Sequence, residues 1–538
     1  MTTRPYRKSA LTLLGIFIAA LFVLSPKPPR ANAIPAFSRL YGTSCATCHV
    51  DFPKLNDFGK SFKDAGFKFP KDDESMLKIP PVMLGAPAQA ELWPKTIYPG
   101  KIPGLPAIGL RYNTFFQYNS KSANNFQFVP TGSTPAVPNI TPRTDFEPGL
   151  FSIFTAGNFG SDIAFWVDDD ISVAGPNANG GLGDGYLRFV NIGRFMHLPT
   201  DALSLRVGQF ELDLPFSQAR SWNLSGWDIY SQTNLGSFNP ATRMQNVNNG
   251  FALENAGQGA EISGGHHYGG YWYSLAIIDQ NTTGTAPNSD IVPSTTGFVS
   301  DSNFKDLYAN FQYRWNLERN KESREAVQAA GPTGPRDHTS LSLGSFYLYG
   351  RSVNRLIGVQ AADPTTNVLL TAREPFYRAG ADFNFNYHNL NVFGLFMYGR
   401  DHNLVPVDAS GDPFPSDPVG FVRGRPAIFR GGFLESDYLA YPWLTLIMRY
   451  DVVNSSADYQ NGLISAGGTP YFGPADVTRN RFTPGVQFLI HANIKASFEY
   501  QIRPAQQISA GVNPITGTPS LVSPFHTNTA VAGLEFVY

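Results

Sequence analysis

Leu307-Tyr308-Ala309-Asn310-Phe311-Gln312-Tyr313-Arg314-Trp315 decides the fold. Leu, Ala, Phe, Tyr and Trp fall on one face of this stretch, and Tyr, Asn, Gln and Arg on the other. A period of two places successive side chains on opposite sides of a β-sheet. Ile494-Lys495-Ala496-Ser497-Phe498-Glu499-Tyr500 divides in the same way, Ile, Ala, Phe and Tyr against Lys, Ser and Glu. A soluble sandwich would alternate too. The apolar faces here, however, tend to end in Tyr, Phe or Trp, as at the interfacial girdles of a membrane barrel.

Sixteen such segments follow one another from residue 105 to 538, at about 106–118, 147–157, 161–171, 185–195, 202–212, 257–265, 269–279, 306–316, 338–350, 376–387, 390–400, 427–439, 443–453, 481–491, 493–502 and 528–538. Short links (Asn158 to Gly160, the stretch near His266, His388-Asn389, Ala440 to Pro442, His491-Ala492) alternate with long loops rich in Gly, Pro and Asn. That alternation puts the turns at one end of a closed barrel and the loops at the other. Residues 317–337 break the rule with a long charged link where a turn is due. The chain closes on Leu534, Phe536 and Tyr538, an alternating strand with a terminal aromatic. The expected fold is all-β: an antiparallel transmembrane barrel of about 16 strands, porin-like. Closure removes the exposed strand edges.

Composition agrees. Only 15% of the 538 residues are charged and 14% are aromatic. Lys plus Arg number 41 against 42 Asp plus Glu, which argues against nucleic acid as a partner. Arg4, Arg7 and Lys8, an apolar run from Ala10 to Leu24, and Ala31-Asn32-Ala33 form a secretory signal over residues 1–33.

Cys45-Ala46-Thr47-Cys48-His49 is C-x-x-C-H, the attachment motif of a c-type haem. Two thiols three positions apart can add to the two vinyl groups of one porphyrin, and His49 can ligate its iron. A Cys-x-x-Cys disulfide beside an accidental histidine is the alternative. Zinc prefers four ligands, typically in two pairs, and the chain has only these two cysteines. One covalent haem c is expected in a small α-helical module over residues 34–104. Within it, residues 53–65 set Leu55, Phe58, Phe62 and Ala65 at helical spacing, with Gly66 as a C-cap. From Lys71 to Gly104 the chain turns proline-rich and reads as a linker.

Residues 36–70, with Ala36 to Cys45, Cys48-His49, Phe52 to Gly59, Phe62-Lys63 and Gly66-Phe67, resemble the haem module of the fused cytochrome–porins, outer-membrane monohaem iron oxidases of iron-oxidising bacteria. The resemblance is sharp over about residues 34–70 and architectural over the barrel. It implies outer-membrane location, with lipid around the barrel and the haem module at its periplasmic mouth or in its lumen. It implies electron transfer from extracellular Fe(II), or another reductant, through the haem to a periplasmic c-type cytochrome or other soluble carrier. Cys45 and Cys48 then carry the thioethers, and His49 is the proximal iron ligand. The insert at about 71–103 and the long loops depart from that pattern and leave the donor open. A diffusion porin with the module as plug or sensor is the alternative function.

The sixth iron ligand is open. Met76 and Met83 are candidate distal ligands or ordinary gap-fillers. His197, His266, His267, His388 and His491 map near the turns. Asp168-Asp169-Asp170 and Asp401-His402 map near the loops, where they could attract cations or be solvated. No dedicated iron site is expected.

Replacing Cys45 and Cys48 together by alanine should abolish covalent haem, since no other cysteine can form a thioether. Haem staining on a denaturing gel checks this, and surviving stain would refute the motif reading.

Overall fold

The computed structural model describes residues 36–51, 53–69, 82–83, 85–94 and 101–102, and the chain from 107 on. Within that last part the stretches 123–140, 160–161, 173–180, 218–219, 232–234, 240–243, 250–252, 254–255, 280–291, 295–296, 300–304, 318–338, 403, 413–416, 424–425, 456–464, 467–468, 471–477, 503–509, 513–518 and 522–527 are not described. The signal segment and the charged link at 317–337, Leu317 apart, lie outside the described residues.

The sixteen candidates are the sixteen strands of a closed antiparallel barrel. In order they are β1 (Ala107–Ser122), β2 (Thr141–Phe159), β3 (Ile163–Ser172), β4 (Gly181–Phe189), β5 (Ser204–Phe210), β6 (Gly257–Gly265), β7 (Gly270–Asp279) and β8 (Asp306–Asn316). There follow β9 (Ser340–Gln360), β10 (Asp363–Tyr387), β11 (Leu390–Asp401), β12 (Ala427–Tyr441), β13 (Leu444–Ser455), β14 (Thr478–His491), β15 (Ile494–Ile502) and β16 (Asn528–Val537). Each pairs with the next, and β16 closes on β1 from Thr529↔Asn119 to Val537↔Arg111. Tyr538 and Leu110 exchange two backbone hydrogen bonds at that seam, both 2.8 Å.

Alternation sorts the side chains as expected. In β8, Leu307, Phe311, Tyr313 and Trp315 are exposed on the outside, while Asn310 and Arg314 are buried inside. In β15, Lys495, Ser497, Glu499 and Gln501 are buried and Tyr500 is exposed. Such an exterior belongs against lipid and such an interior against polar groups, the pattern of a porin-like transmembrane barrel. At the turn end Tyr271, Trp315, Tyr387, Tyr441, Trp443 and Tyr538 all stand exposed. Tyr441 and Trp443 stack at 5.5 Å.

Several expectations change. The long link expected between the ninth and tenth strands is strand: β9 and β10 pair from Ser340↔Asn386 out to Gln360↔Asp363, extending the hairpin well past its neighbours. The fourth strand ends at Phe189, and the chain then makes a 3-10 turn, Ile192–Met196. The proline-rich linker holds a short helix, α3 (Pro87–Leu92), started by a proline at its first turn, and a ribbon pairing Val82–Met83 with Lys101–Ile102.

The link after β5 was expected to be an outer loop. Its described part turns inward, because β5 is only seven residues long and releases the chain inside the barrel. Residues 211–231, ending in α4 (Asp228–Ser231), cross the lumen on hydrogen bonds to its polar wall. Trp272 Nε1 donates to Asp213 at 2.6 Å, and Asn223 Nδ2 and Trp227 Nε1 donate to Glu435 at 2.8 and 2.9 Å. Leu224 N and Ser225 Oγ each donate to Glu499 at 2.6 Å, and Arg481 pairs with Asp228 at 3.0 Å.

Residues 36–69 occupy the turn end of the same lumen. They comprise α1 (Ala36–Tyr41), the motif turn, a ribbon (His49–Asp51 with Lys54–Leu55) and α2 (Asp57–Asp64). Anchors reach the wall on opposite sides. Arg39 donates to Ile108 O on β1 at 2.8 Å, and Lys54 pairs with Asp437 on β12 at 2.8 Å. Asp57 accepts a fork from Arg314 on β8, one arm at 2.8 Å. Gly66 takes φ +81°, and a Cβ there would lie 2.9 Å from Val190 and 3.0 Å from Ala164 on the wall.

Arg314→Ala leaves the Asp57 carboxylate buried without its main partner, a loss of about 3–5 kcal/mol. Residues 36–69 should become readily cleaved by protease while the barrel keeps its heat-modifiable gel mobility. An unchanged cleavage rate would show that the fork does not hold the segment.

Candidate cofactor site

The motif forms one tight turn. Cys45–Thr47 is a single 3-10 turn in which Cys48 N donates to Cys45 O at 3.2 Å. The two cysteines are free thiols on this turn. Burial pushes the Cys45 thiol up, and burial together with Cys45 pushes the Cys48 thiol up to about 12. Both are therefore neutral thiols at neutral pH.

Asn56 joins the turn to α2. Its Oδ1 accepts from Gly59 N at 2.9 Å and caps the helix, while Nδ2 donates to Ala46 O at 3.2 Å and Thr47 O at 3.1 Å. Asn56 N donates to Cys48 O at 3.0 Å. The helix begins at Asp57, later than the expected 53–65, because Lys54 and Leu55 are used in the ribbon with Asp51 and His49. An asparagine ahead of the apolar face is a capping signal readable in sequence. Its second use as a clamp on the motif turn is not.

His49 Nδ1 lies 3.2 Å from Pro53 O. Burial lowers its pKa to about 4, so the ring is neutral at pH 7. With the proton on Nδ1 toward that carbonyl, the lone pair resides on Nε2, the arrangement in which an imidazole ligates a metal.

Cys45, Cys48 and His49 line one cavity of about 460 Å³. Phe37, Tyr41, Phe62, Phe67 and Phe69 form one side, and Phe154 and Trp166 of the barrel wall the other. Phe37 stacks on Phe67 at 5.4 Å, and Phe67 on Trp166 at 5.6 Å. The size is that of a cofactor pocket, and the donor set is two thiols on one turn beside a neutral imidazole. These residues fit a covalent haem: Cys45 and Cys48 would hold it, His49 would ligate its iron, and the rings would enclose its faces.

Other candidates separate. Met76 lies outside the described residues, and Met83 is placed only as backbone in its two-residue strand. His197 and His388 are exposed turn residues. His267 turns inward instead, 3.3 Å from Asp64 and tilted against Trp272 with ring centroids 3.8 Å apart. Asp401 is no solvated loop residue; it is buried in a pair with Arg378, 3.1 Å on one arm. Asp168 and Asp170 line the wall of the thiol cavity. The strand period could have placed them inside, but not opposite the motif.

A second, polar cavity of about 190 Å³ adjoins the first, between α2 and the 211–231 segment. Leu55, Lys63 and Arg220 line both.

No family model matches the chain, and no curated protein matches it. Solved structures do. An anion-selective porin from Comamonas acidovorans is 10% identical, with 80% of this chain and 99% of that one covered, at TM-score 0.43. OprB of Pseudomonas putida is 10% identical over 80% and 94%, also at 0.43. OmpT of Vibrio cholerae is 8% identical over 80% and 98%, at 0.40.

A Cβ at Gly59 would lie 2.1 Å from the Cys48 carbonyl oxygen, and Asn56→Ala strands two carbonyls and the helix cap. Asn56→Ala should cost about 1–3 kcal/mol locally. Gly59→Ala should push the motif turn off the helix. In the haem-free chain both should speed modification of Cys45 and Cys48 by a thiol reagent. Parental rates in both variants would refute the clamp.

Proposed function

We propose that this chain is an outer-membrane electron-transfer protein. It takes electrons from an extracellular reductant, Fe(II) by resemblance to the fused cytochrome–porins, and delivers them through one covalent c-type haem to a soluble periplasmic carrier such as a c-type cytochrome. The observation that carries this reading is the convergence of Cys45, Cys48 and His49 on an aromatic cavity whose far wall is the inside of a transmembrane barrel.

The roles follow from the chemistry of each group. Cys45 and Cys48 would hold the haem, each thiol able to add S–H across one vinyl double bond, sulfur to one carbon and hydrogen to the other. Asn56, bonded to the carbonyls of Ala46 and Thr47, would keep the two cysteines at one spacing for that attachment. His49, oriented through Pro53 O, offers the proximal nitrogen. Bound there, haem supplies a one-electron Fe(III)/Fe(II) couple. Phe37, Tyr41, Phe62, Phe67 and Trp166 line the cavity and would exclude water from it, limiting the reorganisation that accompanies electron transfer. The balance is one to one: each external Fe(II) becomes Fe(III), and its electron reduces one oxidised carrier.

Sidedness comes from connection length. Turns such as 388–389 and 442–443 gather at one end, and that end is periplasmic by the rule for such barrels. Residues 36–69 anchor there, beside the exit to a soluble carrier.

Diffusion of solutes is the second reading, supported by the barrel itself, since sixteen strands are wide enough for a water channel. The 211–231 segment and residues 36–69 stand in that channel, tied to the wall by the hydrogen bonds and ion pairs above, which favours an insulated lumen.

Two measurements on the full-length protein decide between them. Stopped-flow mixing of oriented vesicles with Fe(II) outside should reduce the haem, and planar bilayers should register little steady conductance. A large open-pore conductance with a haem that external Fe(II) leaves oxidised would overturn the electron-transfer reading.

A further inference from the structure

Lys63 and Arg220 stand where the aromatic cavity meets the polar one, and each lines both. Neither side chain has a hydrogen-bond or ion-pair partner among the described residues. The acids near them hold hydrogen-bond or ion-pair partners of their own, while Glu211 faces Arg220, and Asp64 and Asp213 face Lys63, without pairing with them. Glu261 is taken by Arg206 at 2.6 Å, and Asp64 by His267 at 3.3 Å and Arg188 at 3.5 Å. Asp213 accepts from Trp272 at 2.6 Å, and Glu211 from Ser217 at 2.8 Å. Lys63 and Arg220 are therefore cations that border the aromatic cavity without an ion pair among the described residues.

The position of these two cations is informative. Lys63 lies one helical turn beyond Gly59 on α2, and Gly59 abuts the Cys48 carbonyl. Four residues of helix advance about 6 Å. A haem carries its vinyl groups on one half of the ring and its two propionates on the other. A ring bonded at Cys45 and Cys48 therefore turns its carboxylates away from the motif turn. The rest of the cavity wall offers little for a carboxylate. Asp168, Asp170 and Asp184 repel it, and Arg111 is paired with Glu535 at 3.0 Å.

Resting on the haem reading, we propose that Lys63 and Arg220 are the positioning residues that receive the two haem propionates, one cation to each carboxylate. The charge environment supports it. Burial, with Arg220 and Arg206 nearby, lowers the Lys63 pKa to about 7, against the opposing pull of Asp64 and Asp213. A facing carboxylate removes that strain. The other charged groups about Lys63 are Glu211 on the 211–231 segment and His267 on the β6–β7 turn. Both cations favour reduction, since the added electron is held beside positive charge. Reduction in turn favours protonated Lys63, so the midpoint potential should fall as pH rises through the Lys63 titration.

The test uses the full-length haem protein and reads midpoint potential against pH by spectroscopic titration. Haem staining monitors loading, and heat-modifiable gel mobility monitors assembly. Lys63→Gln and Arg220→Gln should both attach haem and show a lower potential, and Lys63→Gln should lose the fall with pH. Lys63→Arg should keep the parental low-pH potential and lose the fall. Haem-loaded variants with parental potential and parental pH dependence would overturn the assignment. So would a parental potential that shifts on adding inorganic phosphate, which would mark the pair as a free-anion site. Absence of covalent haem in the parent would instead sink the haem reading itself, a distinct outcome.

Discussion

Closure of the hydrogen-bond ladder between β16 and β1 is the constraint on which everything else rests. A strand in hydrocarbon has no water to satisfy its backbone, so an open edge costs several kcal/mol for each unpaired group. The nine-residue pairing of Thr529–Val537 with Arg111–Asn119, extended by Tyr538 and Leu110, leaves no such edge. Once the ring is closed, the two-residue period acquires a fixed meaning. One face of each strand is then outside and the other inside, with the polar faces of strands such as β8 and β15 turned inward, and a one-residue slip in any strand would invert both.

The polar interior creates the second constraint. Arg378, Arg449, Glu435, Asp451 and Glu499 are almost completely buried, so each needs partners inside the barrel. Some partners come from neighbouring strands, as in Arg449 with Asp451 at 2.9 Å. Others come from chain folded into the lumen: Ser225 and Trp227 for Glu499 and Glu435, and Asp57 for Arg314. The wall and its fillings are thus complementary. The inserted segments satisfy charges that would otherwise face a water channel, and the wall holds those segments rigidly enough to build a cavity between them.

That cavity joins the two halves of the chain chemically. Its thiols and imidazole come from residues 45–49, and part of its aromatic lining comes from β2 and β3. A bundle of residues 36–69 alone would leave Phe67 without Trp166 and the motif without its outer wall. The barrel therefore acts as more than a support; it completes the enclosure and supplies the charge pattern around it.

The sequence by itself determined what repeats and what is local. The period of two in stretches such as 307–315 and 494–500 located all sixteen strands, because side-chain direction in a strand depends only on position parity. The spacing of Cys45, Cys48 and His49 on one turn was legible for the same reason: neighbours in sequence are neighbours in space. The capping role of Asn56 was legible too, but was missed. Tertiary structure decided what depends on contacts between residues far apart in the chain. The inward course of 211–231 follows from the early end of β5 and from acids more than 200 positions away. The pairing of Asp57 with Arg314, the inward turn of His267, and the meeting of Lys63 with Arg220 all join residues more than 150 positions apart. No local pattern carries that information, because the partners lie on segments far apart in the chain that only the folded barrel and its inserted segments bring together.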